Sequence, residues 1–299
     1  MATFEAKGVI YFYSVAREDE WYRIDLESLP REKLRPIAGG FTLEEGTRWT
    51  VVGEDIYCTG GLRMDSDDAV SRKLHKYNTT KPNNSGWQTI PSSRKLGWCK
   101  PFVFGYEEKI YVVGGYRYSR DLSVNSSWTS WGEFYNLRTG TWHCLSAKVQ
   151  PQYDYFGACP AVLMNKTTVV FYSLGDGSLL FLNAVSDTVH CEKHPNLKFG
   201  DQGCAFLVPD GLQGCQYLDL LTHVARFTQP LAYNSTLYWF SCDMCLYGYD
   251  IDKKRWFQSN SLQGDLPWSL TLHPRRLICI PILVDLCNGK FLVIAALDF

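Results

Sequence analysis

Short apolar stretches, each followed by alternating apolar and polar residues, recur along the whole chain. The fullest unit reads EKIYVVGG at 108–115 and, after a polar loop, FYNLRTGTW at 134–142. A second copy reads EDIYCTGG at 54–61, continues as KYN at 76–78 and reaches Trp87. Runs of this kind, bounded by glycine and asparagine, are typical of strands joined by tight turns. No run of about ten residues shows helical spacing. The pattern therefore predicts an all-β chain.

Further copies keep the register of the unit and lose its glycines. The clearest of these reads STLYWFS at 235–241 and YGYDIDKKRW at 247–256, and weaker copies begin near residues 9, 168 and 290. Successive copies are separated by about 50 residues, a period typical of repeat architectures. Each copy offers a short buried strand, an apolar strand, an alternating strand and a Trp-bearing strand. Each copy therefore predicts one four-stranded antiparallel sheet.

The glycine, tyrosine and tryptophan positions indicate how such sheets would pack. Paired glycines let the backbone turn where a Cβ would clash, and large aromatic side chains fill the wedge between neighbouring sheets. A single sheet of this size would leave both faces wet, so several sheets must pack around an axis. The units resemble kelch repeats, and the stretch 237–256 is similar to the kelch region of plant F-box/kelch proteins. The resemblance implies a kelch-type β-propeller of the galactose-oxidase-like class.

The resemblance covers nearly the whole chain and implies a single propeller domain over residues 1–299. Six four-stranded blades are expected, and pairing of the N-terminal strand near Val9 with the C-terminal strand near Phe291 would close the ring. Residues 195–229 fit either a degenerate blade or an insertion, and both alternatives give six blades. No F-box is expected ahead of the propeller, because the first blade-like strand begins at about residue 9.

The charge balance narrows the partners that this chain is expected to bind. Thirty Lys and Arg residues against 31 Asp and Glu residues give a net charge of −1, which is too balanced for a nucleic-acid surface or a polybasic membrane patch.

The last apolar stretch is far shorter than the ~20 residues that span a bilayer, and the start lacks the pattern of a secretory signal. We expect a monomer in the cytoplasm, with the nucleus as the alternative.

Connecting loops, rather than strands, are expected to carry function on such a scaffold. The resemblance implies a pocket built by the loops that enter each inner strand and by the loops that link second and third strands. The entering loops contribute Arg48, Trp98, Lys100, Tyr153, Asp154, Tyr155, Asp201 and Gln202. The linking loops contribute Arg63, Tyr116, Arg117, Tyr118, Arg120, Trp128, Trp131 and Asp243. Arginine and aromatic side chains dominate binding hot spots. The alternative is an ordinary surface loop that packs its aromatic side chains on the next blade.

Two short patterns carry zinc-type ligands. Cys242 and Cys245 have the spacing of a zinc pair, but a structural zinc site needs four ligands and the sequence has no second pair. His190 and His194 are expected to share one face of a strand with Glu192, because side chains alternate along a strand. Exposed strand polarity explains this second pattern equally well.

A third pattern concerns iron. Asp219 and His223 partly match the iron-binding residues of plant nitrile-specifier proteins, kelch propellers that resemble this chain in build, but Cys215 stands where those proteins have glutamate. A nucleophile elbow, a phosphate-binding glycine loop and a dinucleotide fingerprint are missing from the sequence. We therefore expect no metal and no other cofactor.

Two classes of function remain open. The first is a recognition module that binds a protein or a small-molecule ligand at the mouth of the central channel. The second is a cofactor-free or iron-assisted enzyme of plant specialised metabolism that catalyses an isomerisation, cyclisation or elimination in the channel. For the enzyme, Tyr153, Asp154, Tyr155 and Lys100 are the expected acid–base groups.

The cysteines give the first testable prediction. The 11 cysteines are scattered along the chain without a framework spacing, which in a reducing compartment favours free thiols. Protein denatured without reductant should therefore release 11 titratable thiols, and elemental analysis should find no stoichiometric zinc or iron. A lower thiol count, or one iron per chain, would contradict this reading and point back to Asp219 and His223.

Overall fold

The computed structural model describes residues 9–14, 20–25, 36–38, 44–62, 71–80, 86–91, 101–115, 132–146, 161–173, 177–195, 231–240, 246–260, 282–285 and 291–294. The chain divides into two compact units, Met1–Gln150 and Pro151–Phe299.

The described residues of the first unit form three antiparallel sheets, in each of which the strands follow chain order. The first sheet consists of β1 (Val9–Ser14), β2 (Glu20–Asp25) and β3 (Pro36–Ala38). The second consists of β4 (Glu45–Val52), β5 (Asp55–Leu62), β6 (Leu74–Asn78) and β7 (Gln88–Ile90). The third consists of β8 (Phe102–Tyr106), β9 (Lys109–Val113), β10 (Gly132–Asn136) and β11 (Thr141–Cys144).

The second unit continues the same plan. Its first sheet consists of β12 (Ala161–Met164), β13 (Thr168–Ser173), β14 (Ser178–Asn183) and β15 (Thr188–Lys193). Its next sheet consists of β16 (Leu231–Tyr233), β17 (Thr236–Phe240), β18 (Leu246–Asp250) and β19 (Arg255–Gln258). The strands β20 (Ile282–Asp285) and β21 (Phe291–Ile294) pair with each other.

Four of these sheets confirm the prediction that a sequence copy forms one four-stranded antiparallel sheet, whereas the described residues of the copies near residues 9 and 290 form sheets of three and two strands. The copies that begin near residues 54, 108, 168 and 235 each supply the last three strands of a four-stranded sheet. A total of six blades and the pairing of terminal strands stay predictions, because β1 pairs with β2 in the described residues and β20 with β21. Residues 196–230, which hold nearly all of the expected blade or insertion, lie outside the described residues.

The connection between the third and fourth strands of each four-stranded sheet begins with an Asx residue. The side-chain oxygen of Asn136 accepts hydrogen bonds from the backbone N–H groups of Arg138 and Thr139. Asn78, Asn183 and Asp250 accept equivalent bonds two or three residues further on. A short side chain that closes a turn on its own backbone fixes where the hairpin reverses. This explains the asparagine or aspartate that follows the tyrosine in the repeated sequence.

A tyrosine near the end of the third strand packs on a tryptophan that lies in the fourth strand or, for Trp87, immediately before it. The ring centroids of Tyr135 and Trp142 are 5.2 Å apart. The equivalent pairs, Tyr77 with Trp87 and Tyr249 with Trp256, have separations of 5.3 Å and 5.2 Å. In the sheet of β12 to β15, Leu182 and Val189 occupy the positions of this tyrosine and this tryptophan. The missing aromatic pair explains why this copy is hard to recognise in the sequence.

Within each unit, one face of a sheet is buried against the next sheet. In the first unit, Tyr57 and Leu74 of the second sheet pack in one cluster with Ile110, Val112 and Trp142 of the third. Each such side chain stabilises the fold by about 1.5–3 kcal/mol when it is fully buried.

The other face of the second sheet of the first unit is buried as well. Ile56, Cys58 and Tyr77 of this face cluster with Trp21 of β2. The second unit repeats the arrangement, since Val170 and Phe181 cluster with Leu237, Trp239 and Tyr249. Burial of aromatic side chains between successive sheets is therefore the common core of both units.

The paired glycines stand where the sequence requires them. Gly61 has a φ of +103°, a backbone conformation that L side chains rarely adopt. A Cβ on Gly61 would also lie 2.6 Å from Oγ1 of Thr47 and 2.7 Å from Cβ of Glu44. The glycine pair at the end of the second strand therefore serves both the turn and the close approach of its neighbour.

A second close approach, at Gly105 of β8, joins two sheets of the first unit. A Cβ built on Gly105 would overlap Cγ2 of Val52, at the end of β4. Val52 packs against the cluster between the two sheets. The absence of a side chain at residue 105 therefore sets how closely these two sheets meet.

The substitution Gly105→Ala should lower the free energy of unfolding by about 1–3 kcal/mol, the usual cost of overpacking. Val52→Ala should restore part of this loss, because it removes the methyl groups that the new Cβ meets. Urea denaturation of the two single variants and the double variant measures the coupling. Strictly additive effects would show that the two residues do not limit the approach of the sheets.

Candidate functional site

Of the predicted site residues, Arg48 is the one that falls among the described residues. Its position corrects the prediction, because Arg48 lies inside β4, opposite Thr59 of β5, rather than in a loop that enters the strand. Its side chain is partly buried, and Nη1 donates to the carbonyl oxygen of Thr47 at 3.1 Å. The predicted residues outside the described part of the chain are Arg63, Trp98, Lys100, Tyr116, Arg117, Tyr118, Arg120, Trp128, Trp131, Tyr153, Asp154, Tyr155, Asp201, Gln202 and Asp243.

The long segment between β9 and β10 links the second and third strands of its sheet, as expected. Val113 pairs directly with Gly132, so the segment 114–131 leaves and re-enters the sheet at neighbouring positions. At the start of this segment Gly114 and Gly115 have φ values of +64° and +84°. The sheet thus presents this connection at one end of the β9–β10 hairpin.

At the opposite end of the same sheet, the β10–β11 turn is short and closed on itself. The backbone N–H of Gly140 donates to the carbonyl oxygen of Asn136 at 2.8 Å, and the hydroxyl groups of Thr139 and Thr141 are 2.7 Å apart. The sheet therefore has one end of tight turns and one end with a long, chemically varied connection.

A cleft of about 330 Å³ lies in the second unit, between the sheet of β12 to β15 and the sheet of β16 to β19. Strands of the first sheet and hairpin turns of the second contribute to its wall. The lining residues are Met164, Phe181, Glu192, Ser235, Ile251, Asp252 and Lys254. The cleft thus combines three apolar side chains with two carboxylates and one ammonium group.

A chain of polar side chains leads from the core of the second unit to this cleft. His194 is fully buried, its Nδ1 lies 3.2 Å from the phenol oxygen of Tyr249, and its Nε2 lies 3.1 Å from Oε2 of Glu192. His190 Nε2 lies 3.4 Å from Oε1 of the same carboxylate. His190, Glu192 and His194 come together as predicted, although His194 lies one residue beyond the end of β15.

A carboxylate oxygen only accepts hydrogen bonds, so Nε2 of a neutral His194 ring carries the proton and donates to Glu192. The unprotonated Nδ1 then accepts from the hydroxyl of Tyr249. Burial raises the pKa of the Tyr249 phenol, and the nearby Asp250 carboxylate adds to the shift. The buried histidine thereby orients a carboxylate that reaches the cleft.

In the first unit a second polar cluster forms around Asp55. Its carboxylate accepts a hydrogen bond from Asn78 at 2.7 Å and forms an ion pair with Lys76 at 2.8 Å. The phenol of Tyr57 also donates to it, at 3.4 Å. Burial, together with the charge of Asp55 and this hydrogen bond, raises the pKa of Tyr57 far above its ordinary value, and Tyr135 adds a small further contribution.

The described residues also bear on the predicted metal sites and on the state of the cysteines. Among them, no group of three His, Cys, Asp or Glu side chains could hold a metal ion. The patterns at Cys215, Asp219, His223, Cys242 and Cys245 fall outside the described ranges. The described cysteines are the buried Cys58 and the exposed Cys144 and Cys191, and none of the three is in a disulfide bond. Burial raises the pKa of the Cys58 thiol.

The cleft and the role of Tyr249 are features that the sequence analysis did not identify. Tyr249 was recognised as the repeated tyrosine of its unit, and its contact with His194 joins two sheets of the second unit. Asp252 and Lys254 lie in a turn whose sequence, DIDKKR, is that of an ordinary exposed hairpin. The sequence pattern of one repeat does not show which residues of the next repeat it will contact.

Comparison with known proteins agrees with the repeat found in the sequence. The model of the kelch motif matches residues 105–148. An F-box/kelch-repeat protein of Arabidopsis thaliana is 29% identical over 163 residues, which cover 50% of this chain and 43% of that protein. A second F-box/kelch-repeat protein of the same plant is 34% identical over 95 residues, covering 32% of this chain and 20% of the relative. The chain therefore matches less than half the length of either relative.

The blade-like sheets and the matched motif define the fold class, which is all-β and of the kelch-type β-propeller kind. The matched kelch motif covers most of the third sheet of the first unit, and the chain is similar over part of its length to plant F-box/kelch-repeat proteins. The described residues include no helix that is long and apolar enough to cross a bilayer.

The tyrosines with raised pKa values predict a loss of stability at alkaline pH. In the unfolded chain they ionise near the ordinary value of 10.0, whereas Tyr57, Tyr111 and Tyr249 keep their protons to higher pH in the folded protein. The stability linked to these shifts is therefore complete below pH 10.0 and is lost as the pH rises from there through the folded-state pKa values.

Urea denaturation on both sides of pH 10.0 measures this loss. Asp55→Asn should lower the pKa of Tyr57 and make the decline shallower, and Tyr57→Phe should remove the contribution of that phenol altogether. An identical decline in the parent protein and in both variants would show that Tyr57 does not carry the effect.

Proposed function

We propose that this chain is a recognition module that binds a protein partner through the long connections at one end of its blade-like sheets. The observation that carries the proposal is the β9–β10 hairpin of the matched kelch motif. Its strands are hydrogen-bonded neighbours, yet the connection between them holds Tyr116, Arg117, Trp128 and Trp131. A rigid sheet that carries such a loop is the usual arrangement of a binding site on a stable scaffold.

The composition of this connection supports protein binding in particular. Tryptophan, tyrosine and arginine contribute most of the free energy at protein interfaces, because they bury a large area at a modest entropic cost. On a kelch-type propeller, the entering loops with Trp98, Lys100 and Asp154 would complete the same surface. A small-molecule ligand at this surface is the narrower form of the same proposal.

Binders selected from a random peptide library on the immobilised protein provide the test. Trp128→Ala and Arg117→Ala should each weaken the selected peptides by more than about tenfold, since hot-spot residues contribute about 2 kcal/mol or more. Arg138→Ala is the matched control, because Arg138 is exposed in the tight turn at the other end of the same sheet. Isothermal titration calorimetry measures the affinities, and thermal melting confirms that each variant is folded.

Two outcomes would contradict the proposal. Peptides that bind both loop variants as well as the parent protein would place the binding surface elsewhere. Equal losses in the loop variants and in Arg138→Ala would indicate a general effect on the sheet. For the enzymatic alternative, Asp154→Asn should abolish turnover of a metabolite from the source tissue while peptide binding persists.

A further inference from the structure

The cleft in the second unit has a wall with two distinct surfaces. Met164, Phe181 and Ile251 supply apolar surface, whereas Glu192 and Asp252 bring carboxylates from the two facing sheets. Its volume of about 330 Å³ is at the lower end of the range for small-molecule pockets. A space of this size is suited to one long side chain rather than to a bulky ligand.

Glu192 is held in place before any ligand arrives. Its two oxygen atoms lie 3.4 Å from Nε2 of His190 and 3.1 Å from Nε2 of the fully buried His194. His190 is held in turn by stacking on Phe181, with ring centroids 4.6 Å apart and an interplanar angle of 3°. A carboxylate has about four acceptor positions, so two imidazole contacts leave acceptor capacity for a ligand.

The charge around the cleft is complementary to a cation. Glu192 and Asp252 contribute two negative charges, and Lys254 contributes one positive charge. The methylene groups of a lysine or arginine side chain match the apolar surface of Met164 and Ile251, as such stems commonly cover apolar surface while the charged group reaches polar atoms. A neutral apolar side chain would bring no opposite charge to these two carboxylates.

From this geometry we infer that the cleft binds a lysine or arginine side chain of a partner protein. The surface lies between β12–β15 and β16–β19, and it involves none of the residues placed in the proposed peptide-binding loop. The inference therefore does not depend on the proposed function, and either can fail while the other holds.

The methyl group of Met164 provides a direct probe of the cleft. The chain has four methionines, so protein labelled with carbon-13 at the methionine methyl groups gives a simple spectrum in which Met164→Leu identifies one signal. Titration with N-acetylarginine amide should shift the Met164 signal saturably. N-acetylcitrulline amide has nearly the same shape without the charge, and it should produce a much weaker shift.

Two cleft variants test the charge pattern in opposite directions. Glu192→Gln should weaken the arginine probe by about tenfold or more, the effect of losing one charged hydrogen bond. Lys254→Gln should strengthen it severalfold, because it removes a like charge from the site. Glu108→Gln is the matched control, since it makes the same change at an exposed turn of the first unit and should leave the affinity unchanged.

The outcomes separate the inference from simple loss of fold. If Glu192→Gln disturbs the contact with His194, the variant Asp252→Asn provides the test instead. Asp252 lies at an exposed turn position, and its substitution should also weaken binding. Equal shifts by the arginine and citrulline compounds, a preference for N-acetylglutamate amide, or an affinity that is unaffected by both carboxylate variants would overturn the assignment.

Discussion

Within each unit, every fully described four-stranded sheet must bury one face against a neighbouring sheet, and the other features of the described structure depend on this burial. An apolar face of a sheet is stable only when another element covers it. Large aromatic residues meet this need, because Trp21, Tyr77 and Tyr249 are fully or almost fully buried between sheets. The close approach at Gly105 and the aromatic pairs of the outer strands both serve this one contact.

Burial between sheets also determines where polar groups are tolerated. His194 is fully buried against the ring of Tyr249, and both of its ring nitrogens have partners, Tyr249 and Glu192. Asp55 lies at the margin of another such contact and receives three partners from its own sheet. An unpaired polar group in either place would cost about 1–3 kcal/mol. The two clusters thus fix side-chain positions in a core that apolar packing alone would specify less sharply.

The sequence could predict most of the fold because the repeated signals act within one sheet. The turn at Asn136 and the glycines at 60 and 61 are local features that are found as predicted, and the pair Tyr135 and Trp142 is a further local feature. Arg48 differs because the apolar run begins at Trp49, whereas the strand begins at Glu45, where the backbone already pairs with Leu62 of β5. The cleft could not be predicted, since it depends on which residues of two separate repeats come together.

The Asx turns have a consequence for how this chain can change over time. Hairpins between consecutive strands fix the strand register of each sheet. Strand pairing within a sheet therefore does not depend on the length of the segments that join one sheet to the next. The segments 91–101 and 146–161 can therefore gain or lose residues at a small entropic cost. Such a scaffold lets its variable surfaces diversify independently while the framework that presents them stays in register.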